Sequence, residues 1–574
     1  MKKKIGVYIC HCGGNISDYV DVEKVRQAVE AEGGVLLAKT TMFACSDTNQ
    51  KDMVDDIKKE DLDGIVVASC SPKLHLTTFR NVSERAGLNK YNYVHANIRE
   101  QVSWAHSDDK VGATEKAIHI VKAAIAKVRF AESLETNKII AQKAVAVIGG
   151  GIAGLKAAMA LSNMDCPVYI VEREQFVGGR IMQWGPLFPT NETGKELVKR
   201  LYDELIKRDN VTIYTDAEVI TNAGSIGDFT LKVKIGGSQK EEIVELHVGS
   251  VLMATGFDSY APKEGEFGYH RIDNVVTLPE FKQMIELSDK QLMFKGKVVK
   301  NIAYIYCVGS REGEGGNKYC SRYCCTSTIH TAIIAKKKFG NIYNFHFTRG
   351  VRTYGKQEAL YAESSQQGDI YLQSFEDAPP VVSKQGNKTI VKINDVLTAG
   401  REMEVEADLI VLVTGMVPRE DNSVGKLFKL PKGRDQFFNE IHMKLRPVET
   451  VIDGVTICGT CQGPKNIMET VNSALSAATK SFSYVSKGIL ETEPIVAKVD
   501  SSLCTWCDAC SKACPFDAIS MTADGAKSIA LINNSVCRGC GMCAPICPED
   551  AIDLIAFSSR EIESMIDALA NDEW

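Results

Sequence analysis

A chain of 574 residues is too long for one hydrophobic core and predicts several domains. Its 44% hydrophobic and 24% charged residues are ordinary for a globular protein, and a net charge of −6 gives no reason to expect nucleic-acid binding. No apolar run approaches the ~18 residues of a membrane-spanning helix, so we expect a cytoplasmic protein without direct membrane insertion. Nineteen cysteines, clustered between cysteine-poor stretches, indicate metal or redox chemistry rather than disulfides.

The first 97 residues alternate short apolar runs with charged helical stretches, a βα repeat that predicts a small parallel sheet. We expect residues 99–130 to be helical and residues 131–143 to form a linker. The predicted strands are 5–10, 35–45, 64–70 and 91–94, and the predicted helices are 22–31, 50–59 and 74–86.

Four cysteines lie at the ends of three of these strands, and we call them the N-terminal quartet: Cys10, Cys12, Cys45 and Cys70. The C-terminal ends of parallel strands share one edge of the sheet, where such sheets bind ligands. We therefore expect the four thiols to meet and to hold a [4Fe–4S] cluster, with His11 as an alternative ligand. The competing interpretation is that they are small buried hydrophobic residues.

A second βαβ unit begins at Lys143, where residues 144–154 have the sequence AVAVIGGGIAG. An apolar strand is followed by Gly149-x-Gly151-x-x-Gly154 and then by a helix. Glycines at this spacing let a pyrophosphate approach the helix N-terminus. A second predicted strand, 168–171, ends at Glu172, 18 residues after Gly154, where a ribose-binding acid belongs.

Two further segments extend this site. Gly179 and Arg180 form a tight loop with a cation suited to phosphate, and Thr255 and Gly256 end the apolar segment LMATG. Together these motifs resemble the FAD half of the thioredoxin-reductase-like flavoproteins, which implies FAD as the cofactor. NAD in this site and an α/β turn without a ligand are the alternatives.

In those flavoproteins an inserted domain binds NAD(P)H through its own glycine loop. Here the corresponding predicted strand, 298–307, is followed by Cys307-x12-Cys320-x3-Cys324-Cys325, and Cys324 opens a predicted helix that ends near Lys338. We call Cys307, Cys320, Cys324 and Cys325 the central quartet. A helix N-terminus lowers thiol pKa values and favours an anionic cluster, so we expect a [4Fe–4S] site in place of nicotinamide binding. Buried cysteines beside a degraded loop are the alternative.

Some isolated residues carry weaker signals. The turn from Gly459 to Pro464, which includes Gly463, is expected to place a helix starting at Ile467 under the flavin ring, although Cys458-x-x-Cys461 also allows a redox dithiol. Lys356 is a candidate for tuning the flavin potential, with a solvated loop lysine as the alternative. No other catalytic side chain is identified, and Cys166 is expected in a core.

The C-terminal tail contains an internal repeat, because C-x2-C-x2-C-x3-C-P occurs twice, 33 residues apart. Four thiolates hold a [4Fe–4S] cube, and in two-cluster ferredoxins the fourth cysteine ligates the other cluster. A zinc site is the alternative, but zinc sites do not call for eight cysteines with two following prolines, so the pattern favours iron–sulfur clusters. The expected ligand sets are Cys504, Cys507, Cys510 and Cys547 for one cluster, and Cys537, Cys540, Cys543 and Cys514 for the other.

These motifs together resemble the A-type subunits of the heterodisulfide reductases, the flavin-carrying components of electron-bifurcating complexes. The resemblance covers the N-terminal C-H-C-G-G module, the FAD loop, the central quartet, C-Q-G-P-K-N-I at 461–467 and the ferredoxin tail. Longer members carry an additional ferredoxin module between the FAD elements, whereas residues 181–290 here contain no cysteine.

The resemblance implies a hetero-oligomer, with a dimer through this subunit as a further candidate arrangement. The implied partners are other subunits of a heterodisulfide reductase-like complex and an electron-donating dehydrogenase or hydrogenase module, with ferredoxin as a further candidate. It also implies an oxidoreductase of anaerobic metabolism that is active only with these partners. A self-contained NAD(P)H-dependent reductase of disulfide or glutamate-synthase type, and an iron–sulfur scaffold or sensor, are the competing functions.

The expected fold class is α/β. It comprises a thioredoxin-reductase-like core with two dinucleotide-binding domains, a small N-terminal α/β domain and a C-terminal α+β ferredoxin domain with two clusters. The expected domains are 1–142 (N-terminal), 143–297 and 416–490 (FAD-binding), 298–415 (degenerate NAD-like) and 491–574 (ferredoxin).

Overall fold

The computed structural model describes residues 3–236, 242–525 and 527–570. The chain folds as two compact units, one of Met1–Lys138 with Glu491–Trp574 and one of Ile139–Leu490. Among the described helices, none combines the length and the apolar character that crossing a bilayer requires.

The N-terminal segment forms a four-stranded parallel sheet in the order β2-β1-β3-β4. Strands β1 and β3 are buried along their whole length and mostly apolar, as expected for a parallel sheet covered on both faces. The elements are β1 (Ile5–Cys10), α1 (Val22–Glu30), β2 (Val35–Thr41), α2 (Asp47–Glu60), β3 (Gly64–Ser69), α3 (Pro72–Ala86), β4 (Tyr93–Asn97) and α4 (Lys110–Phe130).

Three details differ from the sequence prediction. Strand β2 ends at Thr41, so Cys45 lies in the following turn rather than in the strand. The predicted helix 99–130 is divided into a short π-helix, Arg99–Ser103, and α4. The predicted linker 131–143 contains a strand, β5 (Asn137–Ile140).

The central stretch of the chain contains most of the strands and helices. Its strands are β6 (Val145–Ile148), β7 (Val168–Val171), β8 (Val211–Tyr214), β9 (Ala217–Ser225), β10 (Asp228–Ile235), β11 (Glu242–Val248), β12 (Ser250–Met253), β13 (Asp258–Ser259), β14 (Val275–Thr277), β15 (Met293–Phe294), β16 (Lys297–Val298), β17 (Asn301–Val308), β18 (Tyr343–Thr348), β19 (Ile370–Gln373), β20 (Val381–Gln385), β21 (Lys388–Asp395), β22 (Arg401–Glu406), β23 (Leu409–Thr414), β24 (Met416–Val417), β25 (Val455–Ile457) and β26 (Ile489–Thr492). Its helices are α5 (Ile152–Asn163), α6 (Gly194–Leu205), α7 (Leu278–Leu287), α8 (Cys324–Phe339), α9 (Glu358–Gln366), α10 (Ser423–Leu427) and α11 (Ile467–Val485).

Two parallel five-stranded sheets organise this unit. The first has the order β25-β12-β6-β7-β8 and the second has the order β14-β23-β17-β18-β19. In the first sheet, the buried strand β6 is followed by a glycine-containing turn and helix α5. In the second sheet, the buried strand β17 is likewise followed by a glycine-containing turn and, later in the chain, by helix α8. This arrangement confirms the predicted α/β core with two dinucleotide-binding folds, in which ligands bind at strand C-termini. Strand β17 begins at Asn301 rather than at residue 298.

The C-terminal segment is built from short elements around buried cysteines. Its last helix packs on α4, where the Arg560 guanidinium lies 4.4 Å from the ring centroid of Phe130. The N- and C-terminal segments therefore share one unit although they are remote in sequence. The elements are β27 (Ala497–Val499), α12 (Ala509–Ala513), β28 (Ile519–Asp524), β29 (Lys527–Ile532), β30 (Ile552–Leu554) and α13 (Ser559–Ala570).

Candidate functional site

A cavity of about 480 Å³ lies beside the glycine turn between β6 and α5, and we call it the flavin cavity. Its volume falls within the ~300–1,000 Å³ typical of cofactor sites. Part of its lining lies beside Glu172, with Arg173 directly after β7 and Val219 near the start of β9. Another part, which we call the α7–α8 end, is lined by Trp184, by Lys282 of α7 and by one side of α8.

The three glycines of the turn have different roles. Gly149 has φ +108, and a Cβ there would lie 2.5 Å from the carbonyl oxygen of Ala254. A Cβ on Gly154 would lie 1.9 Å from the carbonyl oxygen of Gly149, so helix and turn need these two glycines to pack. At Gly151 the nearest atom to such a Cβ is 4.0 Å away, and the residue lines the cavity. A side chain at Gly151 would enter the space that a pyrophosphate occupies in such sites.

Glu172 is buried at the end of β7 and lines the flavin cavity. Its Oε2 accepts a hydrogen bond from the backbone N–H of Gly150 (2.6 Å), and its Oε1 accepts one from that of Glu174 (3.0 Å). These bonds fix the carboxylate against the turn, and its remaining lone pairs suit the ribose hydroxyls predicted from the sequence.

The other predicted FAD residues are distributed around the same cavity. Gly179, Arg180, Thr255, Gly256 and Ile467 line it, whereas Gly463 is in the preceding turn and outside it. The Arg180 guanidinium pairs with the Asp258 carboxylate at 2.7 Å. Lys356 is an exposed residue of the short helix Gly355–Gln357 and does not line the cavity.

The Cys458-x-x-Cys461 pair is buried beside this site. The Cys461 thiol donates to the carbonyl oxygens of Cys458 (3.1 Å) and Met253 (3.5 Å). Burial raises the pKa of both thiols, which disfavours the thiolate that a redox dithiol needs. These contacts favour the structural turn over the redox dithiol. Cys166 is fully buried in a hydrophobic core, as the sequence predicted.

The central quartet gathers around the start of α8. Cys324 and Cys325 are the first two residues of this helix and are buried. Burial, together with the neighbouring Cys307 and Cys320, raises the pKa of Cys325 to about 12. Backbone N–H groups of Arg322 and Arg352 donate to the sulfurs of Cys320 and Cys325, each at 3.4 Å.

The turn after β17 leaves little room for a dinucleotide. A Cβ at Gly309 would lie 2.1 Å from the ring of Tyr260, so this ring covers the turn. The cavity next to Cys307 and Gly309 has a volume of about 60 Å³, far below the ~300 Å³ lower limit of typical ligand pockets.

The N-terminal quartet lies at the C-terminal edge of the parallel sheet. Backbone N–H groups of Cys12 (3.2 Å) and Ala44 (3.3 Å) donate to the sulfur of Cys10. Burial raises the pKa of Cys70 to about 11, while the Arg99 guanidinium opposes this shift and the neighbouring Cys12 and Cys10 add to it. The four thiols are electrostatic neighbours, since Cys12 and Cys45 likewise raise the pKa of Cys10 beyond the effect of burial.

The two halves of the C-terminal tail share a hydrogen-bond pattern as well as a sequence motif. The backbone N–H groups of Ala518 and Ala551 donate to the sulfurs of Cys514 and Cys547, both at 3.3 Å. The pairs shortly after the two prolines, Ala518-Ile519 and Ala551-Ile552, are buried, and Ile519, Ala551 and Ile552 belong to one apolar cluster with the cysteines. N–H···S bonds and an apolar shell are features that hold and tune iron–sulfur clusters.

The comparisons with known proteins agree with this geometry. Residues 144–245 match the family model of FAD dependent oxidoreductases, and residues 503–551 match that of the 4Fe-4S dicluster domain. The chain is 35% identical to the second A-type iron-sulfur subunit of the CoB–CoM heterodisulfide reductase of Methanopyrus kandleri, with 92% of each chain covered. It is 34% identical to the A-type subunit of the H(2):CoB-CoM heterodisulfide,ferredoxin reductase of Methanothermobacter marburgensis, with 90% of each covered.

The chain belongs to the family of heterodisulfide reductase A-type subunits. It is therefore an oxidoreductase subunit for electron transfer, with FAD and [4Fe–4S] clusters as cofactors. Among solved structures, thioredoxin reductase of T. acidophilum aligns at a TM-score of 0.41 and 16% identity, covering 59% of this chain and 97% of that chain.

The cysteine-only donor sets of this family member suit iron–sulfur cubes, in which each thiolate binds a different iron. Within the described ranges, no three His, Cys, Asp or Glu side chains converge on a position for one metal ion. Because burial raises the pKa of the Cys324 and Cys325 thiols, thiolates there need a compensating positive charge, which iron provides.

Sequence reasoning missed several residues of these sites. The Arg99 guanidinium lies 3.4 Å from the sulfur of Cys12, a contact without a motif. Lys282 is buried at one end of the flavin cavity, and burial lowers its pKa to about 8. Trp184 stacks on Tyr323 at 4.7 Å in the same wall. The sequence around Lys282 has the charge pattern of an ordinary amphipathic helix, and only the packing of α7 against α8 shows that this lysine is buried.

Proposed function

We propose that this chain is the flavin hub of a heterodisulfide reductase-like complex and that it splits electron pairs between two acceptors. FAD in the flavin cavity exchanges electrons in pairs, whereas each cluster passes one electron at a time. Four clusters, one for each quartet and two in the tail, give the flavin one-electron connections to partner proteins. The sixteen cysteines predicted from the sequence are the proposed ligands.

One observation carries this proposal: helix α8 contributes both to the central quartet and to the lining of the flavin cavity. Cys324 and Cys325 begin the helix within the central quartet, while Ser327 and His330 of the same helix line the flavin cavity. Flavin and cluster would then be separated by the width of one helix. The loop of the quartet also contacts α11, because Nε of Arg322 donates to Glu469 (3.2 Å).

The residues of this chain would bind and enclose the flavin. The N-terminus of α5 at Gly151 would hold the pyrophosphate, and Glu172 would hold the ribose. The carbonyl oxygen of Thr255 accepts a hydrogen bond from Arg419 (3.1 Å), which fixes the turn after β12 against the cavity. Tyr323 and Trp184 stack on each other and form an aromatic wall at the α7–α8 end.

The partners follow from the relatives. Their names describe subunits of enzymes that reduce the CoB–CoM heterodisulfide, and some names include H(2) and ferredoxin or F(420)H(2). We propose that this chain works in a hetero-oligomer with corresponding cysteine-rich subunits and with an electron-donating dehydrogenase or hydrogenase module. The name that joins a heterodisulfide and ferredoxin supports two acceptors for one donor.

The competing function is a self-contained NAD(P)H reductase. The cavity of about 60 Å³ at the turn after β17 and the ring of Tyr260 on Gly309 both disfavour it. Moreover, a cube and a pyrophosphate cannot occupy the same helix N-terminus. We therefore expect electrons to enter through a cluster rather than from a nicotinamide.

Anaerobic stopped-flow absorbance of the flavin tests this proposal. NADH or NADPH alone should leave the purified protein oxidised over seconds, whereas a low-potential chemical reductant or a reduced partner protein should bleach the flavin. The reductant serves as the positive control, because it shows that the bound flavin is competent. Bleaching by a nicotinamide within seconds would favour the self-contained reductase and contradict the central cluster.

A further inference from the structure

The feature that the proposed function leaves unused is a buried lysine at one end of the flavin cavity. Lys282 of α7 is 7% exposed and lines the cavity. Its ammonium group lies 5.7 Å from the ring centroid of Trp184. Among the described residues it has no carboxylate or carbonyl partner. The other cations that line the cavity do have oxygen partners: Arg173 and Arg180 pair with Asp421 and Asp258, each at 2.7 Å, Arg419 donates to the carbonyl oxygen of Thr255 (3.1 Å), and Lys465 donates to Oε1 of Gln462 (3.2 Å).

Burying an unpaired ammonium is costly, and proteins retain such a group only where another charge or a function compensates. His330 of α8, which lines the same end, does not compensate it. The pKa of His330 is lowered to about 4 by burial, and the charge of Lys282 adds to that effect. The His330 ring bonds instead to Oδ1 of Asn191 (2.9 Å). The compensating negative charge must therefore come from the contents of the cavity.

The order of groups along FAD indicates which part reaches Lys282. The pyrophosphate belongs at the N-terminus of α5 and the adenosine ribose at Glu172, on the side of Arg173 and Val219. The flavin ring would then extend away from Glu172 towards the α7–α8 end, where Lys282 lies beside the stacked Trp184 and Tyr323. When the oxidised ring takes up two electrons and one proton, it becomes a monoanion.

We propose that Lys282 is the cation that stabilises the two-electron-reduced, anionic flavin in this cavity and thereby raises its reduction potential. A fixed charge in a partly desolvated cavity acts strongly on the charge that appears on reduction and weakly on the neutral oxidised ring. This proposal rests on the flavin occupying the cavity, but not on the number of clusters or on bifurcation.

The test compares Lys282→Met, which removes the charge at similar volume, with Lys282→Arg, which keeps it. Lys290→Gln is the matched control, because it removes an exposed charge shortly after the end of α7. The readouts are FAD per chain, affinity for oxidised FAD, and the two-electron midpoint potential of the flavin by anaerobic spectroelectrochemistry on the holoprotein.

We expect Lys282→Met to keep one FAD per chain and to bind oxidised FAD within about twofold of wild type. Its preference for reduced over oxidised flavin should fall about tenfold, which for a two-electron couple lowers the potential by about 30 mV. Lys282→Arg and Lys290→Gln should leave the potential unchanged.

An unchanged potential in Lys282→Met with full FAD would overturn the proposal. Loss of FAD from Lys282→Met would also overturn it, because Lys282 would then hold the cofactor rather than set its potential. Rapid reduction of wild type by NADH, together with the expected shift in Lys282→Met, would contradict the proposed function and leave this inference standing.

Discussion

The glycine turn offers a sharp test of the flavin site, because substitutions at two of its glycines should have different effects on protein stability. Gly151 has φ −72 and ψ −177, an extended conformation that valine adopts without strain. A Cβ there meets no protein atom closer than 4.0 Å. The variant Gly151→Val should therefore fold normally, with its side chain in the place of the pyrophosphate.

The expected loss of affinity follows from the contacts that the side chain blocks. Hydrogen bonds from backbone N–H groups to a charged phosphate are worth about 1.5–3 kcal/mol each. Losing two of them costs about 3–6 kcal/mol, which weakens FAD binding by roughly two to four orders of magnitude. The stability of the FAD-free protein should change by less than about 1 kcal/mol, because no contact within the protein is lost.

Gly154→Ala is the contrasting variant. Its Cβ would lie 1.9 Å from the carbonyl oxygen of Gly149, so turn and helix must separate. Such overpacking costs about 1–3 kcal/mol or more, and this variant should lose stability together with FAD.

Flavin absorbance per chain, fluorescence titration with FAD and thermal unfolding of the FAD-free proteins distinguish the two variants. Iron content serves as the control for folding of the tail. Gly151→Val protein with full, normally bound FAD would refute the reasoning, because the phosphate loop would then lie elsewhere.

The remaining predictions concern the clusters. Anaerobic iron and sulfide analysis should give about 16 iron atoms per chain, as four cubes of about four irons, and about eight would remove both non-ferredoxin clusters. Cys324→Ala should lose one cluster, while the tail clusters persist in electron paramagnetic resonance spectra. Cys458 is also buried, and its variant Cys458→Ala should retain all iron. Equal iron losses in the two variants would contradict the central site. Arg99→Gln should keep its iron but lower the reduction potential of the N-terminal cluster, because a cation 3.4 Å from the sulfur of Cys12 is removed. Arg99→Lys, which keeps the charge, is the control. An unchanged potential in Arg99→Gln would place the cluster elsewhere.

The sequence was most informative where spacing and strand direction determine the chemistry. The apolar strands before Cys10 and Cys70 are parallel, as predicted, so the topology brings those thiols to one edge of the sheet. The helix predicted to start at Cys324 does start there. The assignment of each cysteine to a cluster remains a prediction, because the tail geometry shows N–H···S bonds but does not identify which cube Cys514 or Cys547 ligates.

The features that the sequence did not predict depend on long-range packing. The contact between Arg560 of α13 and Phe130 of α4 joins the two ends of the chain into one unit, although no motif marks either residue. Lys282 is similarly inconspicuous, because its helix has the charge pattern of an ordinary amphipathic surface helix. Its burial becomes evident only when Trp184 and α8 enclose it.

The start of α8 explains why a cluster and a nicotinamide site exclude each other in this fold. A helix has one N-terminus, whose unsatisfied N–H groups and positive dipole end can serve one anionic group. In the first sheet this position, at α5, is open to the flavin cavity through Gly151. In the second sheet it is taken by Cys324 and Cys325, and Tyr260 covers the turn that a pyrophosphate would need. In the proposed function, the cysteines that replace a nicotinamide loop would also provide a one-electron route, since another side of α8 lines the flavin cavity.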